Sequence, residues 1–255
     1  MRAEVKASAK AFGKVPALAN ARLDRPTAVK LKVGLRALRS AARRTDRLRR
    51  GAHGKRALAR VVRAERLVGA SADASAGLLA TVVGDADAAV QLDVAQAISS
   101  LLTIHQQVID GLAATLQEAT GAVAVLATNA IAELSGTAQI VLNAISTVLT
   151  SAVDVSAQAL GVLNSALELA THALSTSLAI LQTLTGEASG AVQVSVTAAL
   201  GLVTSVLTQT QATLQSLVGT LAGVATDAVG AIVLPTLSGL LGSLSLTLSG
   251  EASAG

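Results

Sequence analysis

From Leu101 onward, apolar side chains return at steps of three and four residues. The run is Leu101, Ile104, Val108, Leu112, Leu116, Ala119, Val123, Leu126, Ala130, Leu134, Ala138, Val141, Ile145, Val148, Ala152, Val155, Ala159, Leu163, Ala166, Ala170, Leu174, Leu178 and Leu181. It makes 22 steps in 80 residues, about 3.6 residues per step, which is the α-helical period. A strict coiled coil would step at about 3.5 and an eleven-residue repeat at about 3.67. Leu200, Val203, Leu207, Leu214, Leu217, Leu221 and Val224 continue the rhythm. The pattern predicts long amphipathic helices from residue 78 to about residue 229. Two short segments read differently. Val192, Val194 and Val196 alternate with polar residues, as do Leu244, Leu246 and Leu248, the pattern of a half-buried strand. The surrounding rhythm favours helix for the first; the tail, residues 230–255, stays open between the two.

Upstream the pattern changes partners. Thr27, after Pro26, is a candidate N-cap, and Leu31, Leu35, Leu38 and Ala42 follow as one apolar stripe. Lys32, Arg36, Arg39, Arg43, Arg47 and Arg50 repeat at the same helical spacing beside it, so six cations share an adjoining face. Gly51-Ala-His-Gly54 ends this helix. A second basic helix is predicted over Lys55–Val68, with Arg56, Arg60 and Arg63 opposite Leu58, Val61, Val62 and Leu67. Residues 1–26 read as irregular, broken by Gly13, Pro16 and Pro26. Gly69-Ala-Ser-Ala-Asp-Ala-Ser-Ala-Gly77 reads as a linker. The expected organisation is therefore a basic helical arm over 1–68, a linker over 69–77, an aliphatic helical body over 78–229 and a Gly/Ser/Leu-rich tail. The expected fold is all-α, with long amphipathic helices in a bundle or extended array.

Charge sharpens this division. Every one of the 20 Lys and Arg residues lies at or before Arg66, against four acids there, a net of +16. The remaining residues carry twelve carboxylates and no Lys or Arg, a net of −12, and the two halves give the chain's +4. The body's polar positions are Ser, Thr, Gln, Asn and Gly, so it cannot form the ion pairs that lace ordinary surface helices. Phe12 is the sole aromatic residue, and there is no cysteine. A core of Ala, Leu, Val and Ile must therefore form without ring contacts, and disulfides, thiolate metal sites and thiol nucleophiles are excluded.

The candidate chemistry is electrostatic. Lys32, Arg36, Arg39, Arg43, Arg44, Arg47, Arg49, Arg50, Lys55, Arg56, Arg60 and Arg63 are the expected polyanion-binding residues, within an interface spanning 27–66. Nucleic acid is the first partner such a row suits, without base stacking, since no Tyr or Trp is present. An anionic membrane surface is the second, and pairing with the chain's own acidic body is the third. The cation-free body suits self-association or an apolar lipid or polymer surface. Ala188–Thr226 and Ala228–Gly250 are free enough of charge to be weighed as membrane spans. No catalytic constellation, cofactor loop or metal-ligand spacing is found. His105 and His172 are expected on helix surfaces, and Asp85 and Asp87 at a helix start. The Arg- and Ala-rich N-terminus also has the traits of an organelle-targeting peptide.

The Ala/Leu/Val/Thr/Ser run at residues 98–185, the lack of cysteine and a recurring Leu-Gln-x-x-x-Gly together carry a resemblance. The recurrences are Leu116–Gly121, Leu181–Gly186 and Leu214–Gly219, at offsets of 65 and 33. In these features the chain resembles granule-coat proteins of the phasin type and, more loosely, the apolipoprotein and perilipin class. The resemblance implies a non-enzymatic protein covering a lipid or polyester granule in the cytoplasm or lying at a membrane. Basic nucleic-acid-binding extensions of some phasins would correspond to residues 1–66. A self-assembling helical bundle without a lipid role and a membrane-anchored protein with a cytoplasmic basic arm remain as alternatives.

Overall fold

The computed structural model describes residues 1–150, 155–224 and 228–252, with side chains described outside 221–232 and 249–252. These residues form nine helices and no strand. They are α1 (Arg2–Phe12), α2 (Val15–Asn20), α3 (Asp24–Arg50), α4 (Lys55–Val83), α5 (Ala88–Glu118), α6 (Ala122–Thr150), α7 (Ala157–Thr185), α8 (Gly190–Val224) and α9 (Ala228–Ala252). The expected all-α class holds.

The helices stack as hairpins in two layers. One layer runs α1, α4, α6, α8 and the other α3, α5, α7, α9, each helix packing on its layer neighbours and on its hairpin mate. The short α2 bridges α3 and α4. Four helical units follow one another: α1–α3, α4–α5, α6–α7 and α8–α9. Polar links between successive units recur at nearly constant separation. Thr137 donates to Asp73, 64 residues away, and Ser195 donates to Asn129, 66 away. Arg66 reaches Glu133 across 67 residues, and Gln139 donates to Gln209 across 70. Such nearest-neighbour stacking is the logic of helical repeat arrays.

The unbroken rhythm from Leu101 to Leu181 is cut by turns. Gly121, in the left-handed region at φ 54°, ends the α5 segment, and Val155 and Ser156 lead into α7, where the Ser156 hydroxyl caps Ala159 N–H. Buried Gln91 secures that turn: its amide donates to Ala86 O and its Oε1 accepts from Ser156 N, both at 2.9 Å. Periodicity alone misses these breaks because the stripe keeps its phase across them. Two of the Leu-Gln-x-x-x-Gly recurrences mark equivalent places. Leu116–Gly121 and Leu181–Gly186 close α5 and α7, one unit apart, while Leu214–Gly219 lies inside α8.

Several expectations are corrected. Residues 1–26 are mostly helical rather than irregular. α3 begins at Asp24, because Pro26 sits in the first turn, where its missing N–H costs nothing. Thr27 is no cap acceptor; its buried hydroxyl donates back to Leu23 O at 2.7 Å. The second basic helix does not stop at Val68. Gly69–Gly77, expected as a linker, is the middle of α4, with Gly69, Ala72, Asp73 and Ala76 buried. Its small residues serve close packing: a Cβ at Gly69 would stand 2.8 Å from Leu134 of α6 and 3.2 Å from Val108 of α5. The basic segment is consequently no free arm but the first unit of the stack. Phe12 locks it. The ring is fully buried and fills the space a side chain at Gly34 would need, 2.7 Å from that Cβ position.

The segments at 192–197 and 244–248 are helical. Only Val196 and Leu244 of these segments are buried, so one side chain of each, in phase with the helical stripe, meets the core. Several buried hydroxyls are satisfied within their own helix: Thr115 donates to Gly111 O, Ser135 to Ile131 O and Thr210 to Val206 O, each at 2.9 Å. The interior is one continuous aliphatic cluster running from Val5 to Leu244.

Candidate polyanion-binding face

α3 presents its cations because its opposite stripe is occupied. Leu31, Leu38 and Ala41 are buried against the neighbouring helices, with Gly34 under the Phe12 ring. The helical period then turns Lys32, Arg36, Arg39, Arg43 and Arg47 outward together, and all five are exposed. None of the five pairs with a described carboxylate. Arg39 donates to Ser100 of α5 at 3.0 Å, which anchors one guanidinium at the α3–α5 boundary without neutralising it. With Ser40 and Leu35, these five line an open groove of about 510 Å³.

The other expected cations separate from this row. Arg44 turns toward α1, 3.9 Å from Glu4. Arg49 binds Asp46 at 2.6 Å and approaches Glu65 at 3.9 Å. Arg50 also pairs with Asp46. Partial burial raises the Asp46 carboxyl, but the hydrogen bonds from Arg50 and Arg49 outweigh it and hold the group below its ordinary range. Lys55, Arg56, Arg60 and Arg63 are exposed on α4, pair with no described carboxylate, and line none of the grooves along α3. Of the twelve expected residues, five therefore form one unpaired ridge, four form a second row, and three hold the first unit together.

Two ion pairs tie basic segment to body. Arg66 grips Glu133 through both ends of its guanidinium, at 2.6 and 2.8 Å. Arg22 lies 3.6 Å from Asp87, which occupies the N-cap position of α5 as its sequence context predicts.

The structure adds two buried polar groups that sequence reading passes over. His105, expected on a surface, is 1% exposed, and its Nδ1 lies 2.8 Å from Asp73, equally buried. Thr137 donates to the same carboxylate, so α4, α5 and α6 meet at one polar point. His172 does lie at the surface. Glu65 is the second, with its side chain 4% exposed. Burial pushes its carboxyl up to about 8; the Arg49 charge opposes this and fails to overcome it. The available signal for both was phase: Glu65 and Asp73 fall on the apolar stripe through Leu58, Val62 and Ala76.

Among the described residues, no cluster of three or more His, Cys, Asp or Glu side chains is placed to hold a metal ion. Three helical stretches, Lys55–Val83, Ala122–Thr150 and Gly190–Thr220, are long and apolar enough by length and composition to cross a membrane. The last overlaps the expected Ala188–Thr226 span.

No family model matches the chain, and no curated protein matches it. Among solved structures, a computationally designed self-assembling cyclic homo-oligomer is 11% identical, with a TM-score of 0.41 over 96% of this chain and 95% of that one. A likeness at this level carries nothing about the present protein's activity or assembly.

Proposed function

We propose that the protein is a non-enzymatic scaffold of stacked helical hairpins that holds a polyanion, nucleic acid foremost, on its first unit. The cation-free units then associate with further copies or lie on an apolar granule surface. The observation that carries this reading is the α3 ridge: five exposed cations in register, with no described carboxylate paired to them. A row meant only for solubility would need no such segregation, and a row meant for internal cohesion would be paired, as Arg49, Arg50 and Arg66 are. Each phosphate neutralised releases counterions, so binding falls steeply with salt.

The test is the salt dependence of duplex DNA binding by the full chain. Replacing Arg36, Arg39, Arg43 and Arg47 with Ala is expected to weaken binding at all sequences. It should also flatten the slope of log K against log salt by about three to four. An unchanged slope would remove the nucleic-acid reading.

The scaffold reading draws on the far end of the stack. Val194 is 72% exposed and Leu246 75%, and no described Lys, Arg, Asp or Glu side chain lies on α8 or α9. Ile140 on α6 is 65% exposed as well. Terminal units of stable arrays ordinarily carry a polar outer face, and among the described residues only the basic end carries a charged one. Sedimentation of the full chain in dilute buffer should reveal oligomers. Partition onto triglyceride or polyester emulsion, in place of self-association, would favour the granule-coat form of the reading.

A further inference from the structure

Three clefts along α3 share walls. The groove lined by Lys32, Arg36, Arg39, Arg43 and Arg47 meets one bordered by Arg39, Arg43, Ser100, Thr103 and Gln107. That one meets a third, of about 440 Å³, lined by Arg43, Thr45, Asp46, Arg49, Glu65, Gln107 and Asp110. Arg43 borders all three. Arg43 therefore stands between the exposed ridge and the cleft that holds the buried carboxyl of α4.

The third cleft has features of a built site. Gly111 of α5 lies against two of its lining groups: a Cβ there would collide with Glu65 Oε1 and stand 2.8 Å from Arg49 Nη1. The absent side chain thus leaves room for both groups. Glu65 Oε2 is buried and has no hydrogen-bond partner, while Oε1 is 3.9 Å from Arg49, too far for a hydrogen bond. A buried carboxyl oxygen without a partner is unfavourable, and a hydrogen-bonding ligand that reached it would relieve that. The charges around it come from three helices: Arg43, Asp46 and Arg49 on α3, Glu65 on α4 and Asp110 on α5. Asp46 is held by Arg49 and Arg50, and Asp110 accepts from Gln106 at 2.9 Å. Gln106 is neutral, so Asp110 keeps its charge, and the Arg43, Arg49 and Arg50 cations outnumber the Asp46 and Asp110 carboxylates by one. With its carboxyl raised to about 8 by burial, Glu65 is protonated at neutral pH and can donate an O–H.

We infer that this cleft seats one phosphate group, held between the Arg43 and Arg49 guanidinium groups and against the Glu65 carboxyl. The inference rests on the reading of α3 as a polyanion face and gives that face an end point. The phosphate could belong to a nucleic acid or be a free anion, and the two share this chemistry. Above the Glu65 pKa the donor becomes a carboxylate facing the phosphate, and binding weakens.

The test titrates the full chain with inorganic phosphate, and with sulfate as a probe of constant charge, at about pH 7 and about pH 9. Wild-type affinity for sulfate is expected to fall about tenfold between the two. Glu65→Gln, which keeps a neutral donor of the same shape, should bind equally at both. Arg43→Ala, an exposed change harmless to the fold, should lose about tenfold at either pH. The same pH comparison with a duplex oligonucleotide separates the sources. A Glu65-dependent response to free anions assigns the seat to a small phosphate, and one seen only with the duplex assigns it to the polymer. If neither phosphate nor sulfate binds and the duplex response is the same in Glu65→Gln as in wild type, the seat does not exist. The salt slope of the α3 ridge would survive that result, so the two failures are distinguishable.

Discussion

The first and last units share an architecture and differ in everything that meets solvent. In α1–α3, cations dominate the exposed surface, with Leu23, Val29, Val33 and Leu48 exposed among them, and a single aromatic ring, Phe12 on Gly34, joins helix to helix. In α8–α9, the described surface is Ser, Thr, Gln and Gly with Val194, Leu202 and Leu246 exposed among them. The same stacking geometry thus ends in a solvated, anion-ready face at one side and a nearly charge-free face at the other. Cohesion can be supplied by aliphatic burial alone, which leaves surface chemistry to be set independently at each end.

The difference can be broken most directly at Glu65. A carboxyl raised from 4.5 to about 8 favours the folded state fully only below the unfolded value. Its contribution is lost as pH climbs through that window to the folded value, because the unfolded chain releases its proton first. Glu65→Gln should abolish that loss and leave the variant more stable than wild type near pH 9, by on the order of 4 kcal/mol. Denaturant unfolding at about pH 5 and about pH 9 measures it; parallel pH profiles for both proteins would mean that Glu65 ionises freely.

Phe12→Ala is next. Removing a fully buried ring costs about 3–5 kcal/mol, and the loss should be confined to the first unit if each unit answers mainly to its neighbours. Hydrogen exchange should accelerate in α1 and α3 and remain unchanged in α7. Equal acceleration in both would show that the stack melts as one body and that its ends are not independent. The smallest effect is expected at Arg66→Ala. The bidentate pair with Glu133 is nearly half exposed, so its loss should cost about 0.5–1 kcal/mol. A larger loss would mean that electrostatics, rather than aliphatic packing, joins α4 to α6.

The helical class was legible because the stripe from Leu101 to Leu181 repeats at 3.6, and burial rewards that phase. The turns at 119–121 and before Ala157 were not, since the apolar phase carries through them and their signals, Gly121 and Ser156, are common residues in this composition. Gly69–Gly77 misled for a related reason. Small residues that make a flexible linker in water make a close helix contact when Leu134 and Val108 lie opposite. The α3 ridge was readable from spacing alone, but which cations are spent was readable only in part. Asp46 stands three and four residues before Arg49 and Arg50, so that pairing follows from helical spacing, whereas the approach of Arg44 to Glu4 of α1 needed the fold. Glu65 and Asp73 were hidden because a carboxylate on an apolar stripe gives no sign of the partner another helix will bring.

Phe12 has one further use. Because it is the chain's sole phenyl ring and sits sealed against Gly34, any phenyl spectroscopic signal originates at that joint alone. A fluorinated phenylalanine would therefore give a single resonance whose shift reports whether α1 is docked, in a protein otherwise silent to such labels.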